Sequence, residues 1–205
     1  MDLDRPLAII TPTLDGDVLA VVAGRDGAFT TGQIHRLLTQ HSEEGIRKVL
    51  RRLTDQGIVR SERVGNAFSY QLNQEHLATP HIIAIAETKK TFLERLEELL
   101  KSWQPRPVYA AVFGSSARGQ MRPSSDIDLL LVRPQEIVDA HWEDQVDHLA
   151  VTVTRWLGND TRVIEFTEGE IVARRRGDRL LHDVLAQGLT VAGTRSWFVT
   201  QMRGH

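Results

Sequence analysis

Two aspartates separated by one residue are the side chains of this sequence best placed to do chemistry. Asp126 and Asp128 flank Ile127 directly before an apolar run, Leu129 to Val132, that predicts a buried strand. Alternate residues of a strand share a face, so both carboxylates should point the same way while Ile127 enters the core. Two carboxylates this close repel each other unless a cation lies between them. Oxygen ligands on a rigid strand suit Mg²⁺, which binds carboxylates together with substrate phosphates.

A loop of small residues precedes this pair and follows a second apolar run, Val108 to Phe113. Backbone N–H groups and serine hydroxyls in such a loop can approach a triphosphate closely. An arginine in the loop adds positive charge where a leaving pyrophosphate develops its own negative charge. The predicted nucleotide-binding residues are Gly114, Ser115, Ser116, Arg118 and Ser125.

The spacing of these residues resembles the nucleotidyltransferase superfamily related to DNA polymerase beta. Gly114 and Ser115 form its Gly-Ser pair, ten residues follow, and Asp126-Ile127-Asp128 forms its Asp-x-Asp motif. The chain from about 105 to 193 is similar to the minimal branch of that superfamily and to the kanamycin nucleotidyltransferase core. The resemblance implies that Asp126 and Asp128 hold two Mg²⁺ ions. It also implies a third carboxylate on a later strand, as metal ligand or base, and Glu165 is the candidate.

The resemblance implies in-line attack of an acceptor on the α-phosphorus of a nucleotide, with pyrophosphate leaving. We therefore expect a Mg²⁺-dependent nucleotidyltransferase that moves AMP from ATP, or from another nucleoside triphosphate, to an acceptor. Relatives suggest a protein, a tRNA end or a small molecule as the acceptor. The alternative is a DNA-binding regulator whose nucleotidyltransferase domain only binds or senses nucleotide.

The first third of the chain predicts two helices followed by a hairpin. Thr30 to Gln33 forms a capping-box pattern, and a second helix should begin after Ser42 and end at Gly57. One arc of this second helix is basic, and Gly65-Asn66 predicts the hairpin turn. Residues 14–73 resemble the winged-helix regulators of the MarR and ArsR types, which implies binding to double-stranded DNA. The predicted DNA-binding residues are Arg47, Lys48, Arg51, Arg52 and Arg63; the alternative is a solvated face used for protein contacts.

These patterns predict an α+β chain in three parts. A winged helix-turn-helix covers residues 1–78, a linking amphipathic helix 79–104, and a nucleotidyltransferase fold with a small mixed sheet flanked by helices 105–205. The apolar residues of the linking helix recur at near-heptad spacing, which fits either a homodimer contact or packing against a neighbouring domain. They are Ile85, Phe92, Leu96, Leu99 and Trp103.

The amino-acid composition limits the chemistry and the cellular compartment that we expect for the protein. Cysteine is absent, which excludes thiolate chemistry and cysteine-based zinc sites, and no apolar run is long enough to span a bilayer. We therefore expect a cytoplasmic protein without a membrane partner. The formal net charge of −2 means that any DNA contact must come from a local basic patch.

Overall fold

A computed structural model describes residues 1–24, 27–135 and 140–204. By their contacts the residues form two compact units, and both are mixtures of helices and strands. One unit is Arg5–Lys89, and the other combines Met1–Asp4 with the chain from Lys90 onward. The α+β class predicted from the sequence is confirmed. None of the helices in the described ranges is long and apolar enough to cross a membrane.

The first unit is a helical cluster with a small antiparallel sheet. Its helices are α1 (Leu14–Ala23), α2 (Thr31–Leu37), α3 (Glu43–Asp55) and α4 (Thr79–Ala86), and its strands are β1 (Phe29–Thr30), β2 (Val59–Val64) and β3 (Ala67–Leu72). The strand order is β1-β3-β2, with Val64 opposite Ala67 at the hairpin turn. Gly65 takes the positive φ of 61° that this two-residue turn requires.

Local capping sets the ends of the helices in this unit. The Thr30 side chain and Gln33 form a reciprocal capping box at the start of α2, as predicted. Ser42 caps α3 by accepting a hydrogen bond from the Gly45 N–H, also as predicted. The buried face of α3 packs into a single apolar core with α1 and the sheet; it consists of Ile46, Val49, Leu50 and Leu53.

The single linking helix predicted over residues 79–104 is wrong: the structure has two helices, α4 and α5 (Thr88–Lys101). Glu87 separates them with φ −88° and ψ 10°, and the Thr88 hydroxyl donates to the Ile85 carbonyl oxygen. The two helices also serve different cores, since Ile85 packs in the first unit and Phe92 and Leu96 in the second. The near-heptad seam is therefore used for packing within each unit.

The second unit is built on a four-stranded mixed sheet of order β6-β5-β4-β7. Its strands are β4 (Tyr109–Phe113), β5 (Ile127–Arg133), β6 (Thr161–Thr167) and β7 (Leu189–Ala192). Strand β5 runs antiparallel to β4 and parallel to β6, and β7 runs antiparallel to β4. The helices after α5 are α6 (Ala140–Leu157), α7 (Glu168–Arg174), α8 (Arg179–Gln187) and α9 (Arg195–Arg203). A helix was predicted over about 135–157, and residues 136–139 of that range lie outside the described residues.

Each face of this sheet supports its own apolar core. Ile127, Leu129 and Leu131 face a core that includes α5, α6 and Leu3. Leu130 and Val132 face the opposite core, which contains residues of α7, α8 and α9. Because side chains alternate along β5, Asp128 belongs to the α8 face of the sheet.

Candidate functional site

The aspartate pair lies where β5 begins. Ile127 is fully buried in the core beneath it, while Asp126 and Asp128 are partly exposed. Burial raises the pKa of the Asp128 carboxyl, and the negative charge of Asp126 raises that pKa further. The positive charges of Arg162 and Arg118 act in the opposite direction. The two carboxylates are thus close enough to interact, as the Asp-x-Asp spacing predicts.

Gly114 is packed directly against this pair. Its φ of 73° lies in the left-handed region, and a Cβ at this position would collide with Oδ2 of Asp128. Phe113 and Asp128 face each other across the β4–β5 pair, which brings the start of the loop to the carboxylate. A glycine is therefore required here for conformation and for space.

The loop begins with a single 3₁₀ turn, Gly114–Ser116, and the Gly114 carbonyl oxygen accepts hydrogen bonds from the Ala117 and Arg118 N–H groups. Ser115 is partly exposed beside it. Ser116 is buried, and its hydroxyl donates to the Phe113 carbonyl oxygen at 3.0 Å. The hydroxyl of Ser116 thus stabilises the turn, and the predicted role of Ser116 in nucleotide binding stays a prediction.

Ser125 belongs to the turn before the aspartates. Its hydroxyl accepts a hydrogen bond from the Arg122 N–H at 3.0 Å, and its N–H donates to the Arg122 carbonyl oxygen. Buried Asn159 holds the same turn, because its amide nitrogen donates to the carbonyl oxygens of Ser125 at 2.8 Å and Pro123 at 3.0 Å. Sequence reasoning missed Asn159, since no pattern links it to a turn 34 residues earlier.

Arg118 forms an ion pair with Asp183 of α8 at 2.8 Å. Both side chains line a cleft of about 770 Å³ at the end of β4, together with Phe113, Arg179, Leu180 and His182. The positive charge of Arg118 acts to lower the pKa of Asp128, so Arg118 lies near the aspartate pair. Asp183 was not predicted, since only the packing of α8 brings it to this edge of the sheet.

The predicted third carboxylate, Glu165, is on the wrong face of the sheet. In the parallel β5–β6 pair, Asp128 is opposite Arg162 and Leu131 is opposite Glu165. Residues three apart in a strand face opposite sides, so Glu165 points away from Asp128. Its carboxylate accepts a hydrogen bond from the indole N–H of buried Trp142 in α6. Glu165 therefore satisfies a buried polar group and is not brought to the aspartates.

Arg162 stands beside the aspartates instead. Its Nη2 lies 2.7 Å from Oδ2 of Asp126, and its side chain is 69% exposed. Within the described parts of the chain, no three acidic or histidine side chains form a group that could hold a metal ion. Asp126 and Asp128 fit one Mg²⁺ that completes its shell with nucleotide phosphates, but they do not supply the ligands of two.

The basic residues of α3 divide into two groups. Arg47 and Arg51 line a concave surface of about 650 Å³ between α3 and the hairpin, where Phe68 and Tyr70 also lie. Arg52 lies on the other side and pairs with Asp15 of α1 at 2.7 Å, and its predicted contact with DNA stays a prediction. Because burial is outweighed by hydrogen bonds from Arg52 and Thr13, the pKa of Asp15 is lowered.

The other predicted DNA-binding residues are exposed. Lys48 lies on the outer face of α3, and Arg63 lies in the hairpin with its Nε donating to the Gly65 carbonyl oxygen. Arg47 forms exposed ion pairs with Glu43 and Glu44 of its own helix. Such pairs are weak and can exchange for a phosphate contact.

Two protein families match parts of this chain. Residues 89–167 match the family of the nucleotidyltransferase domain, and residues 13–100 match the penicillinase repressor family. The first range contains the loop and both aspartates, and the second contains the hairpin and α1 to α4. Among curated proteins, none matches the chain.

Several solved structures are similar to this chain at low sequence identity. The toxin–antitoxin MntA–HepT is 19% identical over 56% of this chain and 80% of its own, with a TM-score of 0.36. A complex of the tri-AMPylated Shewanella oneidensis HEPN toxin with the MNT antitoxin is 18% identical, with coverages of 56% and 80% and a TM-score of 0.38. TrmBL2, an archaeal chromatin protein, is 14% identical over 90% of this chain and 72% of its own, with a TM-score of 0.30.

The family matches agree with the geometry of both units. The first unit has the helices and hairpin of a winged helix, and the second presents the Gly-Ser loop and Asp-x-Asp pair at one sheet edge. The chain therefore combines a winged-helix domain of the penicillinase-repressor type with a nucleotidyltransferase domain, and it is an enzyme of the nucleotidyltransferase class.

Proposed function

We propose that this protein transfers AMP from ATP to a hydroxyl group of an acceptor, with Mg²⁺ held by Asp126 and Asp128. The observation that carries the proposal is the packing of Gly114 against Asp128, which joins the small-residue loop to the carboxylate pair. A phosphate bound by the loop would lie next to a cation bound by the carboxylates. Neither feature alone favours a nucleotide, but their contact does.

The residues of the second unit divide the work. Backbone N–H groups of the loop and the Ser115 hydroxyl bind the triphosphate, and Arg118 offsets charge on the leaving group. Asp126 and Asp128 would hold Mg²⁺, which would supply Lewis-acid stabilisation of the developing charge. Ser125 and Asn159 hold the turn that places Asp126.

The reaction forms one bond and breaks one. The acceptor oxygen attacks the α-phosphorus in line, the bond from that phosphorus to the bridging oxygen breaks, and pyrophosphate leaves with the bonding electrons. The proton of the acceptor hydroxyl passes to water, since Glu165 is on the opposite face of the sheet. The proposed acceptor classes are a protein side chain, a tRNA end and a small molecule.

The winged helix has a second proposed role, binding double-stranded DNA and regulating the protein's own expression. The supporting observation is the concave surface that carries Arg47 and Arg51 next to the hairpin. Residues 1–75 contain 9 Lys and Arg against 10 Asp and Glu, so DNA affinity depends on how these charges are segregated. Binding should therefore be modest and sensitive to salt.

The test of the transferase uses purified protein, Mg²⁺ and each of the four α-labelled nucleoside triphosphates, with host lysate and total tRNA as acceptors. The wild type should label a discrete acceptor, with ATP as the donor. Asp126→Ala with Asp128→Ala should lower labelling at least about a hundredfold, the scale on which loss of transition-state charge stabilisation acts.

The matched control is Asp147→Ala, which removes an exposed aspartate from α6 and should label normally. Equal labelling by the double variant and the wild type would contradict the proposal. Nucleotide binding without any labelling, combined with nucleotide-dependent DNA affinity, would favour the alternative, a regulator that senses nucleotide.

A further inference from the structure

Arg162 occupies the strand position next to Asp128. Strands β5 and β6 are parallel and in register from Ile127 with Thr161 to Arg133 with Thr167, and this register places Arg162 opposite Asp128. Paired residues of neighbouring strands share a face, so the arginine emerges on the same side as the carboxylate. Its guanidinium is also 2.7 Å from Asp126. One cationic side chain therefore lies against both aspartates.

No described acid takes the place of a third carboxylate here. Glu165 points to the other face and accepts a hydrogen bond from Trp142. Asp183, whose charge reaches Asp128, is paired with Arg118. A two-metal site that clamps both the attacking and leaving oxygens needs more anionic ligands than this pair provides.

We propose that Arg162 replaces one metal ion and its carboxylate, so that the site works with a single divalent cation; this rests on the proposed function. A carboxylate and a divalent cation together carry one positive charge, which is the charge of one guanidinium. The exchange leaves the formal charge of the site unchanged. It also removes the binding step of one ion, because the arginine is part of the chain.

The chemistry of arginine suits this task. A guanidinium offers five N–H donors in a planar fork and stays protonated at any physiological pH. It can keep one hydrogen bond to Asp126 while another N–H contacts a phosphate oxygen of the nucleotide. Lysine has the charge but lacks the fork, so it should replace arginine only in part.

The deciding measurement is the number of Mn²⁺ ions bound per chain at saturation with a non-hydrolysable α,β-methylene analogue of ATP, by equilibrium dialysis. The wild type should bind one ion. Arg162→Asp, which restores a carboxylate at this position, should bind two. The control Arg155→Asp makes the same charge change on the exposed face of α6 and should remain at one.

The possible counts separate the two proposals. Two ions on the wild type would overturn the role of Arg162 and leave the transferase intact. One ion on Arg162→Asp would also overturn that role. An analogue that binds without any Mn²⁺ would overturn the Mg²⁺-dependent function itself.

Activity provides the second measurement. Arg162→Gln should lower kcat about 10²–10³-fold, the usual effect of removing one donor to developing charge. Arg162→Lys should recover part of this loss, and both variants should melt with the wild type because the side chain is largely exposed. Equal kcat values for all three proteins would contradict the inference.

Discussion

Gly114 shows how much of the site depends on a missing side chain. Its backbone takes a φ of 73°, which costs an alanine about 1–2 kcal/mol, and its Cα faces the Asp128 carboxylate without room for a methyl group. A Cβ here would therefore displace the carboxylate that is proposed to hold the cation. Stability and geometry should both suffer from a single added carbon.

We predict that Gly114→Ala lowers transfer on the order of a hundredfold, since small misplacements of reacting groups have effects of this size. Gly158→Ala is the matched control, because Gly158 has a φ of 72° in the same unit with open space around it. The control should lose a similar amount of unfolding free energy, about 1–2 kcal/mol, but keep its activity. Chemical denaturation measures the loss of stability, and the labelling assay measures the loss of activity. An equal loss of activity in both variants would contradict the role of the contact between Gly114 and Asp128.

The aspartate pair and its loop could be predicted from the sequence because they depend on local rules. Alternation along one strand orients Asp126 and Asp128, and the loop is continuous with β4. Glu165 could not be placed in this way. Its face depends on the register of β6 against β5, and a shift of one residue would exchange Glu165 for a neighbour. Arg162 could not be predicted as a site residue for the same reason, because its position beside Asp128 also depends on this register.

At the scale of elements, two adjacent arginines of α3 make different contacts. Arg51 lines the concave surface beside the hairpin, whereas Arg52 pairs with Asp15 and ties α3 to α1. Periodicity predicted one basic arc containing both residues. It could not show that α1 presents an acid to one edge of that arc.

We predict that Arg52→Ala lowers the stability of the winged helix by about 1 kcal/mol or less and makes it less sensitive to acid. The folded-state pKa of Asp15 is lowered, so this ion pair stabilises the fold above the unfolded pKa of about 3.9 and is lost as pH falls through the folded value. We would measure thermal melts of the wild type and Arg52→Ala from neutral pH to about pH 3. The difference between their melting temperatures should shrink as the pH falls.

Arg51→Ala serves as the matched substitution one residue earlier. It should leave the melts unchanged but weaken DNA binding and reduce its salt dependence by about one counterion. Weaker DNA binding by Arg52→Ala, with no change in its acid stability, would reverse the assignment of the two residues.

At the scale of the whole molecule, the sequence of the winged helix interrupts that of the other unit. Met1–Asp4 belong with the nucleotidyltransferase domain: Leu3 is buried in its core, and the Asp4 carboxylate accepts a hydrogen bond from the Met121 N–H at 2.9 Å. We keep the predicted limits of 1–78, 79–104 and 105–205 as a proposal for which parts of the chain fold independently. Four residues carry no periodicity, so their partner could not be predicted from sequence.

We predict that Leu3→Ala destabilises the nucleotidyltransferase domain by about 2 kcal/mol or more, the low end for a buried leucine, and leaves the winged helix unchanged. Leu77→Ala is the control, since Leu77 is 91% exposed and its loss should have no measurable effect. Hydrogen exchange resolved by segment would locate the change. Lowered protection in residues 5–89 of the Leu3 variant would contradict the assignment.

The packing of Leu3 and Asp4 in the second unit has a consequence for folding during synthesis on the ribosome. Domains generally fold as units while the chain is being made, with the earlier parts first. Residues 5–89 can complete their core early, whereas Leu3 must wait for strand β5 and helix α6. Leu3 and Asp4 are therefore made before the winged helix but become protected after it, and the nucleotidyltransferase domain is completed only after the winged helix has been made.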